Sequence, residues 1–296
     1  MRLSSSNPTH FRRTSFIAAL SILLMACPSV WALDPAKSIF QYNCQNWTRL
    51  SGLPADRISS VTQTSDGYIW LGSQNGLIRF DGSEFKVVPI DLPEAHGQDV
   101  GALCRTPDGR LSFSIINGGW GNYDGQKFAV IGDDQWTSPD ANSNIIFVSS
   151  DGTTWSGSVR GWARWVRGHP EESQSDGQLG AVLTFSEDAA GRVWMGTAER
   201  GLFFWSDKRF NRFPDADLQS QNIYSVAVDS AGDIWVGTAR GLYHYGPKFD
   251  RKEILFPADQ TNVLLVDRHE RLWIGTNEHG LGRYENGGFR FLQKSD

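Results

Sequence analysis

The chain has 296 residues, 40% of them hydrophobic and 21% charged, with a formal net charge of −5 at pH 7. That length and composition suit a folded chain with a sizeable core and exclude a disordered one. The acidic balance argues against a nucleic-acid partner, and beyond the N-terminal run no apolar stretch approaches the ~20 residues that cross a bilayer as a helix.

Arg2, Arg12 and Arg13 precede an apolar run from Phe16 to Ala26, and Val30-Trp31-Ala32 fits a small-residue cleavage site. Residues 1–32 therefore read as a secretory signal peptide, which places the remainder in the periplasm. The competing reading is a lipoprotein anchored at Cys27, since Leu24-Met25-Ala26-Cys27 resembles a lipobox. Simple cleavage is preferred, because Met25 is an unusual filler and Pro28 follows at once. Cleavage leaves Cys44 and Cys104, which have neither the density of a disulfide framework nor zinc-ligand spacing. Cys104 reads as a small apolar residue in a strand.

Residues 33–56 form an N-terminal segment in which Asn46-Trp47-Thr48-Arg49-Leu50 has the pattern of an outer strand. From 57 to 296 the chain repeats itself. The stretch Asp66-Gly67-Tyr68-Ile69-Trp70-Leu71-Gly72 recurs with Trp155 and Gly157, Trp194 and Gly196, Trp235 and Gly237, and Trp273 and Gly275. A degraded copy carries Ser112 and Ser114 in the Trp and Gly slots. Successive slots lie 38 to 43 residues apart. A period near forty suits one four-stranded propeller blade. The prediction is an all-β β-propeller with six visible repeats, starting near 57, 99, 144, 179, 222 and 262.

The unit from Asn222 illustrates each blade. Asn222–Val228 is β-branched and apolar, an inner strand A. Asp229–Gly232 is a tight turn, and Ile234–Thr238 is strand B. Gly241 permits the B–C turn, Leu242–Tyr245 is strand C, and Lys252–Phe256 is a more polar outer strand D. The tryptophan fills the wedge between neighbouring sheets, and the glycine two residues later faces the same neighbour. Blade 2, lacking both, is expected to pack least well. In blade 3 no convincing outer strand stands out within 166–178. If 46–50 is an outer strand, it wants a partner from a further blade. Either six blades close the ring or the propeller lacks its seventh.

The run Gln63–Gly72, followed by Asn75–Gly82, resembles the two-component regulator propeller repeat. Ala32–Pro35, Gln41-Tyr42, Trp47-Thr48 and Gly52–Pro54 resemble the start of bacterial sensors that bear it. The likeness covers nearly all of 33–296 and is weak in repeats 2 and 3. It implies a periplasmic input domain for a two-component or cyclic-di-GMP system, with a membrane-bound signalling partner. Kinase or cyclase activity is not carried over, because these 296 residues contain neither output domain.

Little in the sequence points to catalysis. The Asp-Gly turns offer one carboxylate each where a calcium loop needs several. The six histidines have no metal-ligand spacing, and no nucleophile motif or phosphate loop appears. No cofactor or metal is expected. One pattern is suggestive: Arg160, Arg200 and Arg240 precede the B–C turn glycine in blades 3 to 5, with Asn75 in blade 1 and His279 in blade 6 at that slot. These turns share one face, and the arginines could bind an anionic small molecule or oligosaccharide. The alternative is that exposed turns tolerate arginine. A second pattern is Asn144, Asn222 and Asn262 opening inner strands, where Arg57 and Asp99 stand in blades 1 and 2. They could ring the channel mouth, or each could satisfy its own turn. Trp120 and Trp162 could stack on a sugar or pack between blades. A propeller enzyme of lyase or hydrolase type and a protein-interaction scaffold are the competing functional classes.

Overall fold

The computed structural model describes residues 39–41, 45–90, 98–116, 119–131, 145–174, 178–250, 252–256, 258–285 and 288–292. The N-terminal cleavage region, the Cys27 lipobox, Cys44 and Asn144 lie outside them. The chain separates into a unit Met1–Tyr42, of which only the 3-10 turn Ile39–Gln41 is described, and a unit Asn43–Asp296.

The second unit is a propeller of six four-stranded antiparallel sheets, each a simple A–B–C–D meander. The inner strands are Ile58–Gln63, Val100–Arg105, Ile145–Val148, Val182–Glu187, Ile223–Val228 and Thr261–Val266. Their starts fall within three residues of the positions expected from the repeat. In blade 5 strands B, C and D run Ile234–Thr238, Gly241–Tyr245 and Lys252–Leu255. Blade 3 does have an outer strand, His169–Gln174. Its sequence, HPEESQ, escapes pattern reading because every residue in it is exposed or only partly buried, so no apolar alternation is required.

Each Trp of the repeat sits mid-strand B and is anchored by the turn before it. Trp70 Nε1 donates to Thr64 Oγ1 at 3.0 Å, Trp155 to Ser149 Oγ at 3.3 Å and Trp194 to Asp188 Oδ2 at 3.2 Å. Trp235 donates to Asp229 Oδ2 at 3.2 Å and Trp273 to Asp267 Oδ2 at 2.9 Å. The partner is always six residues upstream. A buried indole N–H thus finds its acceptor without crossing to another blade.

Neighbouring blades meet through the glycine slots. A Cβ at Gly196 would lie 2.7 Å from Ile223 Cγ2, and one at Gly237 would lie 2.8 Å from the Thr261 carbonyl oxygen. The next blade's inner strand therefore seats directly on the glycine. Hydrophobic clusters join blades 1 and 2, 2 and 3, 3 and 4, 4 and 5, and 5 and 6. The inner strands pack in the same succession, and no comparable packing joins the sixth back to the first among the described residues.

Two expectations are corrected here. Blade 2 packs tightly: Ser112 and Ser114 are fully buried, and Trp120, opposite Ser114 on strand C, fills the wedge while packing edge-on against Trp165 of blade 3. The large ring has moved one strand outward rather than vanished. Residues 46–50 form no outer strand. Arg49–Ser51 is a 3-10 turn, and Trp47 packs edge-on against Phe80 and Phe85 of blade 1. The segment pairs with no described strand, because its one large apolar ring is drawn onto that aromatic pair instead.

Candidate functional site

The B–C turns and D–A connections project from one face of the propeller. Gly241 shows why arginine can occupy the slot before it. The glycine takes φ +122°, and a Cβ there would lie 2.6 Å from the Phe256 carbonyl oxygen. The turn is held from below, with Thr238 Oγ1 donating to the Gly241 oxygen at 2.9 Å and accepting from Arg240 N at 3.0 Å. The residue before the glycine is thereby lifted to the surface. Arg160, Arg200 and Arg240 are all exposed on adjacent blades. Arg200 and Arg240 pair with no carboxylate among the described residues.

The channel-mouth positions are partly spent on structure. Arg57 and Asp99 form an ion pair across blades 1 and 2. Asn222 is half-buried: its Oδ1 accepts from Glu199 N at 2.8 Å, clamping the B–C turn of blade 4, and its Nδ2 donates to Tyr224 Oη at 3.2 Å. This asparagine serves the neighbouring blade rather than its own turn. Asn262 remains exposed and forms a side-chain chain with Gln260 at 2.6 Å and Asn277 at 2.7 Å. A β-bulge falls in the first residues of the inner strand in blades 1, 2, 4, 5 and 6, which bends the chain at this mouth.

Trp120 and Trp162 are not available to a sugar. They are 2% and 8% exposed and lie in inter-blade clusters, Trp162 against Trp155 and Trp205. Their packing alternative is the one the structure realises. Neither ring shares a surface pocket with the arginines. An open groove of about 460 Å³ lies instead on the opposite face, at the A–B turns of blades 2 to 4, lined by Arg105, Phe147, Ser150 and Glu187.

One feature of the B–C face escapes sequence reading. His279 Nδ1 lies 2.7 Å from Asp259 Oδ2, and Asp259 also accepts from Glu278 N at 3.0 Å. Burial raises the Asp259 carboxyl, but the hydrogen bonds from His279 and Glu278 outweigh it and hold the group below its usual range. The ring packs against Phe291 and is half exposed. The two residues are 20 apart in sequence, joined only by the D–A to B–C approach within blade 6. Among the described residues no cluster of acidic, histidine and cysteine side chains could hold a metal ion. Nor is any described helix long and apolar enough to cross a membrane.

The sequence model for the two component regulator propeller matches residues 52–75 and 217–240. Both segments run from the stretch before an inner strand through strands A and B into the B–C turn. No curated protein matches the chain. The extracellular domain of BT3049 from B. thetaiotaomicron, described as a putative hybrid two component system, is similar with a TM-score of 0.69 and 20% identity. The alignment covers 85% of this chain and 37% of that one, so this chain spans well under half of that domain's length. The extracellular domain of BT4673 from the same organism aligns with a TM-score of 0.63 and 18% identity, over 82% and 34%. Virginiamycin B lyase from Staphylococcus aureus shares the fold at TM-score 0.62 and 12% identity, over 81% of this chain and 85% of its own. Two segments of the chain thus match the two-component regulator propeller repeat, within a fold of six four-stranded blades.

Proposed function

We propose that residues 43–296 form a periplasmic ligand-sensing input module, of the kind that feeds two-component or cyclic-di-GMP signalling. The ligand is an anionic small molecule or acidic oligosaccharide, taken on the face that carries the B–C turns. The observation that carries this reading is the arc of exposed Arg160, Arg200 and Arg240 on adjacent blades, the last two with no carboxylate partner among the described residues. Guanidinium groups bind carboxylates in a bidentate fork, and three on one arc suit a ligand with several acidic groups. The similar extracellular domains of sensor systems support the same class. Calorimetric titration with acidic oligosaccharides, such as oligogalacturonates, tests it. A binder should lose about tenfold or more in affinity when all three arginines become alanine, and undiminished affinity would sink the assignment.

A second reading is a propeller enzyme, favoured by the His279–Asp259 pair. A buried carboxylate on Nδ1 fixes the imidazole tautomer and leaves Nε2 as a base toward solvent. Turnover of a lactone or uronide substrate, lost in His279→Ala and retained in the triple arginine variant, would replace the sensor reading with this one.

A further inference from the structure

We propose that the groove at the A–B turns of blades 2 to 4 binds a short peptide with free termini, its α-ammonium on Glu187 and its carboxylate on Arg105. One repeat slot decides the chemistry at this end of the inner strands. It is the last inner-strand residue, paired across to the residue just before the tryptophan position of strand B. In chain order the slot holds Gln63, Arg105, Val148, Glu187, Val228 and Val266. Gln63 is spent on its own turn, its Nε2 donating to the Gly67 oxygen at 3.0 Å. Only blades 2 and 4 place a charge there. The two charges have opposite signs, and the apolar slot of blade 3 lies between them.

Neither charge is neutralised within the described structure. Arg105 is exposed and Glu187 partly buried, and neither forms an ion pair among the described residues. The arginines within the A–B turns behave otherwise: Arg110 pairs with Asp108, Arg192 with Asp188 and Arg271 with Asp267. Glu187 is fixed by neutral donors, with Ser150 N at 2.7 Å on one oxygen and Ser150 Oγ at 2.8 Å on the other. Each carboxylate oxygen keeps a further acceptor site. That clamp does not account for a charge at the slot. Blades 5 and 6 are clamped by Glu270 from within the turn, accepting from Ser230 N at 3.0 Å, while Val266 fills the slot.

A guanidinium and a carboxylate left apart in one groove match a ligand that brings a carboxylate and an ammonium of its own. A single amino acid carries both on one carbon. Here a whole blade lies between the two slots, and stacked sheets stand about 10 Å apart. Two or three extended residues, at about 3.3–3.6 Å each, suit that separation. Phe147 and Val148, between the charges, receive an apolar side chain, and Ser186 offers a hydroxyl to the peptide backbone. The groove volume of about 460 Å³ lies within the range of about 300–1,000 Å³ usual for small-ligand sites.

Calorimetric titration of the full chain at low ionic strength with Ala-Leu, Ala-Leu-Ala and Ala-Phe-Ala, all with free termini, tests the site. At least one should bind, and N-acetylation or C-amidation should each weaken it by about tenfold. Glu187→Gln keeps an acceptor for Ser150 N and so leaves the clamp in place. It should abolish the preference for a free amine while the preference for a free carboxylate survives. Arg105→Gln, at an exposed side chain, should do the reverse. Unchanged urea midpoints show that both variants keep the fold. No binding by any of the three peptides up to about 1 mM overturns the proposal, as does equal binding of free and doubly blocked forms. So does a loss in Glu187→Gln that falls equally on free and N-acetylated peptide.

Discussion

Blades 5 and 6 set their tryptophans in the same register, Trp235 opposite Ala227 and Trp273 opposite Leu265. Trp235 is 4% exposed, while Trp273 stays partly open. Local anchoring is equal: each indole N–H reaches an aspartate six residues upstream. What differs is the neighbour. Blade 5 has blade 6 against its glycine and tryptophan slots, and no described blade covers those slots of blade 6. The strand, the turn and the anchoring hydrogen bond are therefore properties of the repeat, whereas burial is a property of the pair.

That difference can be broken from the inside. Trp235→Ala should cost about 3–5 kcal/mol, the usual range for emptying a large buried aromatic site. Trp273→Ala should cost about 1–2 kcal/mol, because part of the ring is already in water. Urea midpoints of the two variants measure the contrast, and equal shifts would mean that the outer face of blade 6 is covered in solution. Gly237→Val pushes a side chain into the Thr261 backbone and should cost about 2–3 kcal/mol. Gly275→Ala meets only a valine methyl of its own sheet and should cost less than about 1 kcal/mol, read in the same titrations.

Acid sharpens the comparison at the level of the anchor. Burial raises the Asp267 carboxyl, but hydrogen bonds from Arg271, Trp273 and nearby backbone dominate and bring it from 3.8 to about 2. A depressed folded value contributes stability above the unfolded value and loses it as pH falls toward 2. The contribution at neutral pH is about 2 kcal/mol. Asp267→Asn should be destabilised by about that amount near pH 7 and by almost nothing near pH 2, followed by denaturation across that range. A parallel loss at both ends would contradict the role given to the carboxylate. The smallest effect is expected at the surface. Leu265→Lys should change stability by less than about 0.5 kcal/mol and reduce binding of a hydrophobic dye, while Ala227→Lys, beneath blade 6, should unfold the pair.

The candidate site divides in the same way. The arginine slot was legible because the turn glycine recurs and marks the residue before it. The exposure of Arg200 and Arg240 follows from the turn geometry alone. Trp120 and Trp162 misled because an aromatic residue near a loop reads alike whether it faces solvent or the adjacent sheet, and only the wedge between blades decides. Asn222 reads in sequence as serving its own turn, yet it holds the turn of blade 4, a contact between residues 23 apart. The His279–Asp259 pair left no trace in spacing, since two connections of blade 6 meet only after the sheet forms.

Period, slot and turn chemistry were determined by the sequence itself, because each depends on residues a few positions apart and recurs in copy after copy. Hence the four-stranded blade, its strand order and the tryptophan and glycine positions could be read without coordinates. Tertiary structure alone decided that blade 2 fills its wedge from strand C, that 46–50 turns back on blade 1, and that no described sheet covers the outer face of blade 6. Those outcomes depend on which sheet lies alongside, and a repeat carries no record of its neighbour beyond the face it prepares for one.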